Sequence, residues 1–190
     1  MITTLINEKK AQKPHYTLNV MRVEANVWYE LGFYKHHYMS ETLNKCCKCL
    51  LFTLNNTPCA FVALINQPSK GYPNKMAISR IVILPEFQGL GLSSRILNFC
   101  GGIVTACGES FSLCIKTVHQ KMGEGLERNK EWKPTANNGK AKKEKDLYYE
   151  GAKYKNRQSR ASYCYKYCGE PLHGYSELML PIDVLRKNKK

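Results

Sequence analysis

Three groups of side chains along this chain are of types that carry chemistry. The stretch FYKHHYMS sets His37, Tyr38 and Ser40 close together. An imidazole or a phenol can move a proton or orient a weakly nucleophilic amine. In SRIVILP, Arg80 is a fixed cation within an apolar run, suited to holding a phosphate or a carbonyl oxygen. In LPEFQGLGLSSRIL, Gly89 and Gly91 lie between Gln88 and the serines Ser93 and Ser94. A helix start exposes unpaired amides and the positive end of the helix dipole, so a phosphate binds there when small residues let it approach. Each group also has a plainer reading: a helix end whose rings cover the sheet, a structural ion pair, and a turn that needs glycine geometry.

These residues need elements to position them. HYTLNVMRVE reads as a first strand and ANVWYELGFYKHHYM as a helix, with Val27, Leu31 and Tyr34 near helical spacing. The apolar runs KCLLFTLNN and PCAFVALIN, split by Asn55, Asn56, Thr57 and Pro58, read as a hairpin. KMAISRIVILP is the longest strand candidate, so the glycine turn follows a central strand. After it, Leu92, Ile96, Phe99, Ile103 and Cys107 recur at helical spacing, and Gly108 is placed to end that helix. SFSLCIKTV is the next strand and HQKMGEGLERNKEW the next helix. ASYCYKYCG then resumes strand character, with Tyr163, Tyr165 and Tyr167 on one face, and YSELMLP supplies a last short strand.

The 190 residues suit a single domain, with 1–15 a polar leader, 133–160 a basic insertion and 181–190 a basic tail. Lys and Arg number 29 against 15 Asp and Glu, a net charge of +14 that points to a polyanionic partner such as nucleic acid, or less often a membrane surface. The leader has no apolar signal core and no run approaches a membrane span, so a cytoplasmic protein without membrane association is expected. The nine cysteines then read as reduced thiols. CCKC and CYKYC have zinc-ligand types, yet three residues separate the second pair and neither stretch contains a histidine, so ordinary buried thiols are the expected reading, no metal-site residue is assigned, and a metal's part in the chemistry stays open.

The order strand, helix, hairpin, long strand, glycine turn, helix, strand, helix, strand resembles the GNAT acyltransferase fold, over Tyr16–Trp132 and the strand at Ala161–Cys168. LPEFQGLGLSSRIL is similar to that family's pyrophosphate signature, Gln or Arg, two residues, Gly, one residue, then Gly or Ala, with Gln88, Gly91 and Ser93 in those places. Ser93 departs from it, being neither Gly nor Ala. The resemblance implies an α/β fold with a mixed central sheet flanked by helices and a basic insertion before the late strands. It implies a cofactor, acetyl-CoA or another acyl-CoA, held at its pantetheine and thioester by the backbone of Ile81 and Ile83. The pyrophosphate would lie on Gln88, Gly89, Leu90, Gly91, Leu92, Ser93 and Ser94. It further implies transfer of an acyl or acyl-like group to an amine.

Two family features are missing. No Asp or Glu lies within Lys75–Pro85 to act as a base, and the helix after the next strand has no tyrosine to protonate a departing thiolate. The pair His37–Tyr38, with Arg80 and the glycine turn, resembles instead the Mom-type phage proteins, which modify the exocyclic amine of adenine in DNA and block restriction. By that resemblance His37, Tyr38 and Arg80 are catalytic, and His119 and Tyr148 are further candidates. DNA would lie along Lys140, Lys142, Lys143, Lys145, Tyr148, Tyr149, Lys153, Tyr154, Lys155, Arg157 and Arg160, whose cations and rings suit a flipped base and its backbone. A solvated loop is the plainer reading of that segment. Modification of DNA adenine leads, with acyl-CoA-dependent acetylation of a protein or small amine, and a non-catalytic DNA-binding or inhibitory module, as the competing classes.

Overall fold

The computed structural model describes residues 16–37, 41–141 and 161–180. The strands are β1 Leu18–Val23, β2 Lys48–Leu54, β3 Thr57–Asn66, β4 Lys75–Ile83, β5 Ser112–Thr117, β6 Trp132–Pro134 and β7 Tyr163–Tyr167, and the helices are α1 Val27–Glu30, α2 Leu92–Thr105 and α3 Gln120–Arg128. They build one mixed sheet in the order β1-β2-β3-β4-β5-β7-β6, with β4 and β5 as its parallel pair. β2 and β3 are buried on both faces along most of their length, as their unbroken apolar runs require. Asn55 and Asn56 join them with both φ angles positive, the turn that asparagine tolerates and that suits strand twist.

Each face of the sheet carries its own core. α2 lays Leu92, Ile96, Cys100 and Ile103 against Phe52, Leu113 and Tyr165. Gly101 lets α2 approach β7 so closely that a Cβ there would land in the ring of Tyr167. On the opposite face Trp28 and Phe33 pack on Phe61 and Val82.

Three expected elements differ. The helix read over ANVWYELGFYKHHYM is only α1 followed by a 3-10 turn at Phe33–His36, because Gly32 takes a left-handed conformation between them. Its buried anchors are Trp28 and Phe33, while Leu31 is exposed. The helix expected to run to Trp132 ends at Arg128, and Trp132 opens β6, with its ring against Tyr167. YSELMLP is a 3-10 turn over Ser176–Met179, not a strand, since β5 and β6 already occupy both edges of β7.

The basic segment also starts later than 133, because Lys133 and Pro134 belong to β6. Its two ends are pinned together. Thr135 N–H donates to the Cys164 carbonyl at 2.9 Å, Gly139 N–H to the Ser162 carbonyl at 2.9 Å, and Cys164 N–H to Asn138 Oδ1 at 2.8 Å. Lys140 is exposed just beyond this neck. The remaining expected nucleic-acid contacts, Lys142 to Arg160, lie outside the described residues, as does Tyr38.

Candidate active site

The site begins with one extra residue. β3 and β4 pair Ala63 with Arg80 but Leu64 with Ile78, which leaves Ser79 bulged. A bulge bends and twists its strand. It falls where β4 parts from β5: the parallel pairing runs from Lys75–Ser112 to Ile78–Ile115 and stops, while β5 goes on pairing with β7 through Thr117. Beyond Ile78, β4 therefore presents an edge that no described strand pairs.

Backbone direction along that edge follows from two bonds. Leu84 N–H donates to Cys59 O on β3 at 2.9 Å, so Leu84 faces β3. The carbonyl of Ile83 faces the other way and accepts from Gln88 Nε2 at 2.9 Å. Residues two apart on a strand share an edge, so Ile81 and Ile83 both turn their backbone groups toward the opening.

The opening is a cavity of about 470 Å³ between β4, the end of β5, the starts of α2 and α3, and the turn carrying His36 and His37. Gly89 and Gly91 line it with φ of +85° and +71°, and a Cβ on either would meet nothing within 4 Å. Gly91 is the N-cap of α2 and no side chain caps the helix, so its first amides are free to take an acceptor. Gln88, Leu92 and Ser93 also line the cavity. Leu92 does so from a buried side chain. Leu90 is exposed, and Ser94 faces elsewhere, its Oγ accepting from Asn129 Nδ2 at 3.0 Å. Of the residues expected to hold pyrophosphate, Gln88, Gly89, Gly91, Leu92 and Ser93 line the cavity, while the Leu90 side chain is exposed and the Ser94 hydroxyl is engaged by Asn129.

Arg80 and His37 meet at the other end of the cavity. Arg80 donates through Nη1 to Ser79 O at 2.9 Å and through Nη2 to Thr42 O at 3.2 Å, while its Nε is buried without an acceptor. The ion pair that would explain Arg80 structurally is not formed with any described residue. His37 stands edge-on to Trp28, with ring centroids 5.9 Å apart. Burial, reinforced by the Arg80 cation, lowers its pKa to about 4, so the imidazole is neutral at pH 7. Cys47, close to both Ser79 and Arg80, is pushed up by burial and remains a neutral thiol.

Sequence reasoning missed His36, Lys116 and Lys121, which also line the cavity. Lys116 is the exposed position between buried Ile115 and Thr117, and only the parting of β4 from β5 gives it a site to face. His119 caps α3 by accepting Met122 N–H on Nδ1 at 3.3 Å, which leaves its proton on Nε2. Among the described residues, the lining contains Arg80, Lys116, Lys121 and three histidines, and no Asp or Glu.

No family model and no curated protein matches the sequence. Solved structures match its fold. A chimera of the spermidine N-acetyltransferase from Vibrio cholerae has a TM-score of 0.55 at 10% identity, over 80% of this chain and 95% of that one. A GNAT-family acetyltransferase from Streptococcus pneumoniae has a TM-score of 0.52 at 15% identity, over 79% and 98%. An acetyltransferase from Bacillus subtilis, solved in complex with CoA, has a TM-score of 0.50 at 11% identity, over 80% and 99%. The chain has the GNAT fold along nearly the whole length of these proteins.

Proposed function

We propose that this GNAT-fold chain is an acyl-CoA-dependent N-acyltransferase. The observation that carries the reading is the juxtaposition across one cavity of the β4 edge that β5 leaves unpaired at Ile81 and Ile83 with the uncapped, glycine-lined start of α2. The edge offers peptide groups to an amide-containing chain such as pantetheine. The amides from Gly89 to Ser93 fit a pyrophosphate, because nothing fills the space a Cβ would take there. When bound, acyl-CoA supplies an acyl group activated as a thioester.

The chain's own residues account for the two missing family features. An amine attacks only as its free base, and the cations of Arg80, Lys116 and Lys121 disfavour an ammonium in the cavity, so the electrostatic field does part of the work of a carboxylate base. His37, neutral at pH 7, can accept a hydrogen bond from the amine and orient it. With acyl-CoA bound, the same cations and the Nε2–H of His119 would offer positive charge and a hydrogen-bond donor to the thiol leaving group. The test is release of CoA thiol from acetyl-CoA by the purified chain in the presence of a panel of amines, beside calorimetric binding of acetyl-CoA. A chain that binds no acyl-CoA overturns the reading.

A second reading, modification of the adenine amine of DNA, is favoured by the net charge of +14 and by the absence of acid from the cavity lining. Mass spectrometry of nucleosides from expressing cells tests it, and unmodified adenine throughout removes it. Phosphate contacts would also make duplex affinity fall with salt, with a log–log slope of about −0.9 per contact.

A further inference from the structure

We propose that the acceptor amine carries its own anion, a carboxylate or a phosphate, and that Arg80 is the seat of that anion. The inference rests on the N-acyltransferase reading and names its substrate class. It starts from charge. Among the described residues, every ionisable side chain lining the cavity, apart from the histidines, is a cation: Arg80 on β4, Lys116 on β5 and Lys121 on α3. Among the described residues no carboxylate answers Arg80, and the neighbouring Cys47 is held as a neutral thiol. Its guanidinium leans on two backbone carbonyls, which fix its direction without neutralising it. Its Nε–H is already desolvated and has no partner.

A positive charge stripped of part of its water and given no counter-ion attracts an anion strongly. A simple amine would reach this cavity as an ammonium ion and be repelled, and a polyamine more so. A molecule with both ammonium and carboxylate, or ammonium and phosphate, enters with little net charge. Its anion settles on Arg80 while the field of Lys116 and Lys121 drives the proton off its amine. Recognition and activation of the acceptor then come from the same set of charges.

The experiment pairs acceptors on the full chain with acetyl-CoA at fixed ionic strength: glycine and aminomethylphosphonate against methylamine, and β-alanine against ethylamine, with spermidine as the polycation. Thiol release should give kcat/KM higher by about tenfold or more for the anionic member of each pair, the size of one charge-assisted hydrogen bond. Arg80→Gln should collapse that ratio toward unity. The phosphonate and carboxylate arms show which anion the seat prefers. Equal rates within each pair, or a preference for spermidine, overturn the inference.

A second measurement needs no acyl transfer. The ring proton of His37, titrated by NMR from its midpoint of about 4, should shift to higher pH when inorganic phosphate is added, because an anion on Arg80 offsets the cation beside the imidazole. The shift should persist in Gly91→Asp, where the phosphate-binding turn is blocked, and vanish in Arg80→Gln. If no amine is acylated while this response holds, the anion seat stands and the acyltransferase reading falls. A His37 midpoint indifferent to phosphate overturns the seat itself.

Discussion

His37 and Gly91 mark the two ends of the cavity and make separate predictions at the scale of single residues. The folded pKa of His37 is about 4 against 6.5 unfolded. Above pH 6.5 both states are neutral and the residue contributes nothing to pH dependence. As pH falls from 6.5 toward 4 the unfolded chain takes the proton first, so stability declines across that window and levels off below it. Urea midpoints between pH 7 and 5.5 should fall more steeply in the parent than in His37→Gln. Burial is the larger cause of the shift and the Arg80 cation the smaller, so Arg80→Gln should move the NMR midpoint upward but not back to 6.5. Gly91 predicts differently. Its φ of +71° disfavours a side chain by about 1 kcal/mol, less for Asp, and the Cβ itself meets open space. Gly91→Asp also places an N-cap acceptor on free amides. The fold should hold, with the denaturation midpoint near the parent's, while the carboxylate places bulk and like charge where the proposed pyrophosphate would sit. Calorimetric affinity for acetyl-CoA should drop at least about tenfold, by loss of charge-assisted hydrogen bonds.

Among elements, both helices that frame the site press a glycine against β7, α2 through Gly101 on Tyr167 and α3 through Gly123 on Tyr163. Gly101→Ala drives a methyl group into the Tyr167 ring, which also donates through its hydroxyl to Glu131 Oε2 at 2.8 Å and so cannot simply swing aside. Overpacking of this kind costs about 1–3 kcal/mol, to be read as a lower urea midpoint with unchanged slope. The sequence announced β4, the turn and α2 because local chemistry dictates them: a β-branched run, Pro85, two glycines and an apolar stripe from Leu92 to Ile103. It hid the parting of β4 from β5, which depends on the Ser79 bulge and on β5 taking β7 as its partner, and neither is written in residues near the opening. The first helix was misjudged because Val27, Leu31 and Tyr34 mimic helical spacing, whereas Trp28 and Phe33 are the residues that bury. β6 escaped notice because Lys133 and Pro134 carry no strand signal and pairing with β7 alone defines it. YSELMLP fails as a strand for want of an edge to join.

At the scale of the whole molecule, no helix among the described residues is long and apolar enough to cross a membrane, and the sheet is continuous from β1 to β6. The neck formed by Thr135, Asn138, Gly139, Ser162 and Cys164 gives this architecture a modular character. Because backbone bonds already bring both ends together, the sheet is expected to fold whatever segment joins them, apart from a closure entropy that grows by only about 0.6 kcal/mol per doubling of loop length. Residues 142–160 are in that sense a cassette. Replacing them with a short Gly-Ser link should leave the thermal midpoint within a few degrees of the parent's and acetyl-CoA affinity unchanged, measured by calorimetry on both proteins. A collapse of the fold would show that the cassette packs on the sheet. If the chain binds duplex DNA, the same excision removes seven Lys and Arg residues, Lys142, Lys143, Lys145, Lys153, Lys155, Arg157 and Arg160, and the salt slope should flatten accordingly. Such a neck lets evolution exchange the polyelectrolyte character of the protein without reopening the problem of how its sheet folds.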